Sequence, residues 1–132
     1  MRYDKGTVIE KRGIVFKDTA TPDPRGGHPA MIAIAVSDDN QYMYFLTLTS
    51  QVEKYFEYPA NREKYMIIKK SQYNMLKKTS LVNLQNIYKD VVADDNPVAF
   101  IQPKELRELI KKFKNYQNCH PDEYYDEIRD LL

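Results

Sequence analysis

An unbroken apolar run, AMIAIAV at residues 30–36, constrains the fold of this 132-residue chain more than any other feature. Seven apolar residues suit a strand that is covered on both faces, and they are far short of the roughly 20 that a membrane-spanning helix needs. The polar cluster SDDNQ then predicts a turn, and YMYFLTLT predicts a second strand of a hairpin. One face of that strand carries Tyr42, Tyr44, Leu46 and Leu48, and the other carries Met43, Phe45, Thr47 and Thr49.

Shorter patterns around the hairpin predict more strands. β-Branched residues are frequent in GTVIEKRGIVFK, and YMIIKK, SLVNLQNIYKDVV and VAFI also favour an extended backbone, although the middle of SLVNLQNIYKDVV is ambiguous. We expect a helical turn before Pro59 and a loop after it. SQYNMLKK predicts a short helix with Ser71 as its N-cap, and ADDNP predicts a turn.

The C-terminal region predicts helices. One amphipathic helix should begin at Pro103 and run to Gln117, because its apolar residues form a single stripe. The stripe consists of Leu106, Leu109, Ile110, Phe113 and Tyr116, and a second stripe consists of Tyr125, Ile128 and Leu132. We therefore expect one mainly β domain of the α+β class. A small antiparallel sheet or barrel would cover about residues 6–101, with peripheral helices and C-terminal helices at about 103–131.

Charge and cysteine content limit the class of protein. The net charge is +1, but residues 121–132 hold five acids and one base, a balance of −4, which leaves +5 for residues 1–120. A mildly basic body permits a polyanionic ligand without requiring one. The single cysteine, Cys119, excludes an internal disulfide and fits a cytoplasmic protein. The charged N-terminus has no apolar core segment, so we expect neither a signal peptide nor a membrane association.

Most kinds of catalytic chemistry lack a signature in this sequence. The two histidines, His28 and His120, are far apart and neither has metal-ligand spacing around it, so we expect no metal and no cofactor. The Asp38–Asp39 and Asp94–Asp95 pairs lie in turn clusters beside asparagine, which favours solvated turns. Cys119 lies in a polar linker and is not expected to act as a nucleophile.

Two polar features remain as candidates. Thr49 and Ser50 end the second hairpin strand, where their hydroxyls could bind phosphate oxygens or simply cap the following helical turn. His28 precedes the first hairpin strand in the segment RGGHPA, where it is either a loop residue or a proton carrier. Gly26 and Gly27 would let the backbone approach a ligand closely, and Arg25 would add a fixed positive charge.

Four segments, in order, resemble the toxin ribonucleases of the MazF/PemK (Kid) family and the related ToxN group. They are Gly13-Ile14-Val15, Gly26-Gly27-His28-Pro29-Ala30, Leu48-Thr49-Ser50 and the strand SLVNLQNI at 80–87. Together they extend over about residues 11–92. The resemblance implies an SH3-like barrel and cleavage of single-stranded RNA without metal, in which the ribose 2′-hydroxyl attacks the adjacent phosphorus.

The resemblance also implies roles for individual residues. Thr49 matches the catalytic threonine of the family and Ser50 its neighbour, while His28 stands where the family usually has arginine. We expect His28 to transfer protons and the two hydroxyls to bind the scissile phosphate. The expected RNA-binding residues are Lys17, Arg25, Gln51, Lys54 and Tyr55. Base specificity would come from loop contacts of Tyr55, Phe56 or Tyr58.

The partners implied by the resemblance are RNA and a cognate antitoxin. MazF-like members pair with a protein antitoxin and form homodimers, whereas ToxN-like members pair with a repeated RNA, and the sequence does not decide between these. Two other hypotheses stay open. One is a non-catalytic binding module on the same barrel, for an RNA or a protein partner. The other is an unrelated α+β protein whose short motifs match by chance.

Overall fold

The computed structural model describes residues 4–10, 30–91 and 97–132. Within these ranges the chain forms one antiparallel sheet with a few helices, which confirms the expected mainly β member of the α+β class. The strands are β1 (Thr7–Glu10), β2 (Ala30–Val36), β3 (Tyr42–Thr49), β4 (Tyr65–Ile68), β5 (Ser80–Asn83), β6 (Tyr88–Val91) and β7 (Pro97–Phe100). The helices are α1 (Val52–Phe56), α2 (Pro103–Cys119) and α3 (Tyr125–Ile128), with 3-10 turns at Pro59–Asn61 and Arg129–Leu131. Predictions within residues 11–29 and 92–96 lie outside the described residues.

The β2–β3 hairpin is the centre of the sheet, as its apolar pattern predicts. The strand order is β4-β5-β3-β2-β1-β7, and β6 pairs with the first half of β3, from Tyr42 to Phe45. β5 pairs with the other end of β3, at Leu48 and Thr49. The segment SLVNLQNIYKDVV, predicted to be extended, therefore contains two strands on the same side of β3, separated at its ambiguous middle. A register shift between Ala33 and Ala35 bends the hairpin.

The alternation along β3 is also confirmed, because each face of the hairpin belongs to a different apolar cluster. Tyr44, Leu46 and Leu48 belong to the larger cluster, which includes the buried faces of α2 and α3. Met43 and Phe45 belong to a smaller cluster on the other face with Met31. Both faces of β2 are buried, which explains why its sequence is apolar throughout.

The two ends of the sheet approach each other across the loop that follows β4. Within the described residues, β4 and β7 are the end strands and do not pair with each other. The backbone carbonyl of Asn74, in the β4–β5 loop, nevertheless accepts a hydrogen bond of 2.9 Å from the backbone N–H of Phe100 in β7. The sheet is therefore curled, and its described part is joined at the ends by one loop rather than by a continuous ladder.

The predicted short helix in SQYNMLKK is wrong, because residues 71–78 form turns and bends. Ser71 does act as a local cap, since its Oγ accepts the N–H of Asn74 at 3.2 Å. The helix does not continue because Met75 has a left-handed backbone with φ of 63°. The side chain of Asn74 also accepts the N–H groups of Ser71 and Leu76, at 3.1 and 3.0 Å, and so replaces helical bonds.

The C-terminal region confirms both predicted stripes. In α2, Leu109 and Phe113 are fully buried, and the helix ends two residues beyond the predicted Gln117. The second stripe forms only short helical turns, yet Tyr125 and Ile128 are buried against the sheet. None of the helices in the described part of the chain is both long and apolar enough to cross a membrane.

Candidate functional site

Thr49 and Ser50 lie where β3 leaves the sheet. β3 pairs with β2 so that Leu48 faces Ala30, the first described residue after the segment that contains His28. On its other side, Thr49 is paired with Leu81 of β5. Two hydrogen-bonded neighbours make this strand end a rigid mount for the two hydroxyls.

These residues line an open cavity of about 410 Å³. One wall of the cavity comes from the β2–β3 hairpin and the two residues after it, and consists of Ala30, Leu48, Thr49, Ser50 and Gln51. Residues of β1 and β7 form a second wall. The third wall comes from the β4–β5 loop, where Met75, Leu76, Lys77 and Lys78 contribute. The cavity therefore combines apolar strand surface, a hydroxyl pair and two ammonium groups, with Glu10 as the acidic residue of its described lining.

The hydroxyl pair does not cap the following helix. Gln51 is the N-cap of α1, and no side chain caps this helix end. The Oγ1 of Thr49 instead accepts the backbone N–H of Gln51 at 3.2 Å. A hydroxyl that accepts one bond still has its proton to donate, so Thr49 retains a donor for a ligand oxygen. The side chain of Ser50 is exposed at the cavity edge.

Lys77 and Lys78 are site residues that the sequence-based expectations do not include. Both are exposed and line the cavity that contains the hydroxyl pair. A signal for them is present in the segment KKSQYNMLKK at residues 69–78, which has four lysines and no acid. We call this segment the basic loop. Its interpretation as a short helix gives no reason to place these charges beside the end of β3.

Two of the predicted RNA-binding residues lie outside this cavity. Lys54 and Tyr55 are in α1, where the Lys54 ammonium is 5.3 Å from the centre of the Tyr55 ring. That ring also packs against the ring of Tyr65, at 5.5 Å between centroids. Phe56 is half-buried at the end of α1, and Tyr58 is 64% exposed before the 3-10 turn. Gln51 does line the cavity, and its role in RNA binding stays a prediction.

The predicted residues Lys17, Arg25 and His28 lie outside the described residues, so their roles stay predictions. In the described ranges, no three His, Cys, Asp or Glu side chains are grouped so that they could hold a metal ion. A second cavity, of about 480 Å³, lies at the opposite end of the hairpin beside Ser37 and Asp38. It contains none of the candidate catalytic or RNA-binding residues predicted from the sequence.

The sequence matches no protein-family model and no curated protein.

Proposed function

We propose that this protein is a toxin of the endoribonuclease type, which cleaves single-stranded RNA without a metal ion. The single observation that carries the proposal is the shared cavity, in which Thr49 and Ser50 lie beside Lys77 and Lys78. Hydroxyl donors and fixed positive charges suit a phosphate that gains charge during a reaction. The curled antiparallel sheet supports an SH3-like barrel like that of the MazF/PemK and ToxN toxins. The proposal includes a cytoplasmic location and a cognate antitoxin as partner.

The proposed reaction is an internal transfer at the RNA phosphate. The ribose 2′-oxygen attacks phosphorus while its proton passes to a base, and the 5′-oxygen of the next nucleotide leaves after it gains a proton. The products are a 2′,3′-cyclic phosphate and a free 5′-hydroxyl, so the atoms balance without water or metal. Thr49 and Ser50 would donate hydrogen bonds to the non-bridging oxygens, and the two lysines would neutralise them.

His28 is our candidate for the proton transfers. Ala30, two residues after His28 in the sequence, lines the cavity. Two residues of extended chain span at most about 7 Å, which limits how far the backbone of His28 can be from that of Ala30. An imidazole titrates near neutrality and can serve as the base and then as the acid. Arg25, in the same segment, would add the permanent charge that an arginine at the position of His28 supplies in the resembled family.

The experiment is a cleavage assay on a long mixed-sequence RNA in EDTA. Wild-type protein should cut at defined sites, and Thr49→Ala and His28→Ala should each cut at least about 100-fold more slowly. Thr47→Ala is the matched control, because Thr47 is on the same face of β3 but does not line the cavity. Equal cleavage by all variants would refute the assignment of the site.

A non-catalytic RNA-binding module is the second candidate, and the charge of the basic loop favours it. Such a module would bind RNA through the same lysines but would leave it intact. Binding without cleavage by folded wild-type protein, over a range of RNA sequences, would therefore support this candidate over the toxin.

A further inference from the structure

We propose that the basic loop is a binding surface for single-stranded RNA outside the cavity, where Tyr73 stacks on a base and Lys69 and Lys70 contact phosphates. The choice of RNA as the ligand rests on the proposed function. The surface itself requires only binding and does not depend on cleavage, so the two proposals can fail separately.

The charge of the loop is the first argument. Its lysines are Lys69, Lys70, Lys77 and Lys78, and all four are exposed. Within residues 4–10, 30–91 and 97–132, no carboxylate forms a salt bridge with any of them. Four charges of one sign in ten residues raise the local concentration of a polyanion.

The exposed side chains between the two lysine pairs are the second argument. Tyr73 is 70% exposed and Met75 is 59% exposed, the two highest values among the large hydrophobic side chains of the loop. A tyrosine ring presents a flat face on which any base can stack, and an aromatic residue between cations is typical of single-strand binding surfaces. An acidic protein segment would use the lysines but would gain less from an exposed aromatic face.

The loop is held in one conformation although its side chains are exposed. Asn74 is fully buried at its centre, and its Nδ2 donates to the carbonyl of Lys69 at 2.9 Å and to the Glu105 carboxylate at 3.2 Å. The carbonyl of Tyr73 accepts a hydrogen bond of 2.7 Å from Nε2 of Gln102. A fixed backbone reduces the conformational entropy that a ligand must remove on binding.

The position of the loop connects it to the cavity. Its second half, from Met75 to Lys78, lines the cavity that contains Thr49 and Ser50, while Lys69, Lys70 and Tyr73 lie outside that lining. A strand whose phosphate is bound in the cavity would thus continue along the loop. This geometry indicates that the basic loop binds the nucleotides that flank the scissile bond.

The test is a fluorescence anisotropy titration with a labelled oligonucleotide of mixed sequence, 2′-O-methylated at every ribose so that it cannot be cleaved. Full-length wild type, Tyr73→Ala, the double variant Lys69→Gln/Lys70→Gln and Thr47→Ala are compared in EDTA. Tyr58→Ala is the matched control, since Tyr58 is a similarly exposed tyrosine at 64% and is the alternative base contact expected from the sequence. Lys104→Gln/Lys111→Gln on α2 is the charge control.

Tyr73→Ala should weaken binding about 5-fold or more, because a base stacked on an aromatic ring contributes at least about 1 kcal/mol. The Lys69/Lys70 double variant should lower the magnitude of the slope of log affinity against log salt by about 1.4, or about 0.7 for each phosphate that the protein no longer neutralises. Thr47→Ala, at a position outside the cavity lining, should bind like wild type. Binding of this oligonucleotide by wild type, with no cleavage of its unmethylated copy, would refute the proposed nuclease but leave this surface intact.

Two results would overturn the inference. One is unchanged affinity and salt slope in the Tyr73 and Lys69/Lys70 variants, and loss of binding in Tyr58→Ala or the α2 double variant would then place the RNA elsewhere. The other is no binding by wild type even at low salt, which would make an acidic protein segment the better occupant. Circular dichroism spectra equal to those of wild type establish that the variants are folded.

Discussion

The backbone carbonyl of Asn74 accepts a 2.9 Å hydrogen bond from the N–H of Phe100, and this bond joins the loop after β4 to the last strand of the sheet. The same asparagine fixes the basic loop through its side chain, which accepts the N–H groups of Ser71 and Leu76. One buried residue therefore contributes both to the contact between the ends of the sheet and to the shape of the proposed RNA surface.

Asn74→Ala should lower the free energy of unfolding by about 2–4 kcal/mol, because it removes a fully buried side chain that hydrogen-bonds several backbone groups of the turn. Urea denaturation measures this change. Asn115→Ala, at an exposed position of α2, is the control and should change stability by less than about 0.5 kcal/mol. Equal stability of the two variants would contradict the role assigned to Asn74.

Met75 should tolerate glycine better than valine. Its φ of 63° is a left-handed conformation that glycine adopts freely and that a β-branched side chain opposes. We expect Met75→Gly to stay within about 1 kcal/mol of wild type and Met75→Val to be at least about 1 kcal/mol less stable than Met75→Gly. Thermal or urea unfolding of the pair tests this. A more stable valine variant would show that the left-handed turn is not maintained.

The contact between the sheet and α3 should depend on pH. The hydroxyl of Tyr44 donates to the Glu127 carboxylate at 2.6 Å and Lys89 donates to it at 3.0 Å. These two bonds hold the pKa of Glu127 below its ordinary value of 4.5, and the bond from Tyr44 has the larger effect. A lowered pKa in the folded state stabilises the protein above the unfolded-state pKa, and this stabilisation is lost as the pH falls through the folded-state pKa.

Tyr44→Phe should therefore cost about 1 kcal/mol at pH 7 and less as the pH falls below 4.5. Urea denaturation across this range measures the difference from wild type. Tyr42→Phe is the control, because the described residues include no hydrogen-bond partner for the Tyr42 hydroxyl. A pH-independent cost in Tyr44→Phe would mean that the bond to Glu127 is not its source.

Lys77→Gln/Lys78→Gln should slow RNA cleavage about 10-fold or more, because the loss of even one charge-assisted hydrogen bond to a phosphate costs about 1.5–3 kcal/mol. The rate of cleavage in EDTA measures this effect. Lys104→Gln/Lys111→Gln removes the same charge from exposed positions of α2, outside the cavity lining. An equal loss in both double variants would indicate attraction by net charge rather than contacts in the cavity.

The elements that sequence predicts correctly are those with a strong apolar pattern. The hairpin of AMIAIAV and YMYFLTLT and the helix from Pro103 form as expected, because burial of those faces dominates their local structure. The strand end at Thr49 and Ser50 is likewise predictable, and the structure places both residues at a cavity.

The β4–β5 loop cannot be predicted from local propensity. SQYNMLKK contains good helix formers, but tertiary bonds from Phe100, Gln102 and Glu105 stabilise a turn instead. Sequence neighbours alone do not show that this loop lies beside the end of β3, which is distant from it along the chain. For that reason the expected site omits Lys77 and Lys78, while it includes Lys54 and Tyr55, which are close to Thr49 in sequence although they lie outside the cavity.

The most direct test of the central claim is the chemistry of the RNA ends. Wild-type protein is incubated in EDTA with an RNA and with its fully 2′-O-methylated copy, and the products are analysed for their terminal groups. The account predicts that only the unmodified RNA is cut, with 2′,3′-cyclic phosphate and 5′-hydroxyl ends. Cleavage of the methylated copy, 5′-phosphate ends, or no cleavage of either RNA would contradict it.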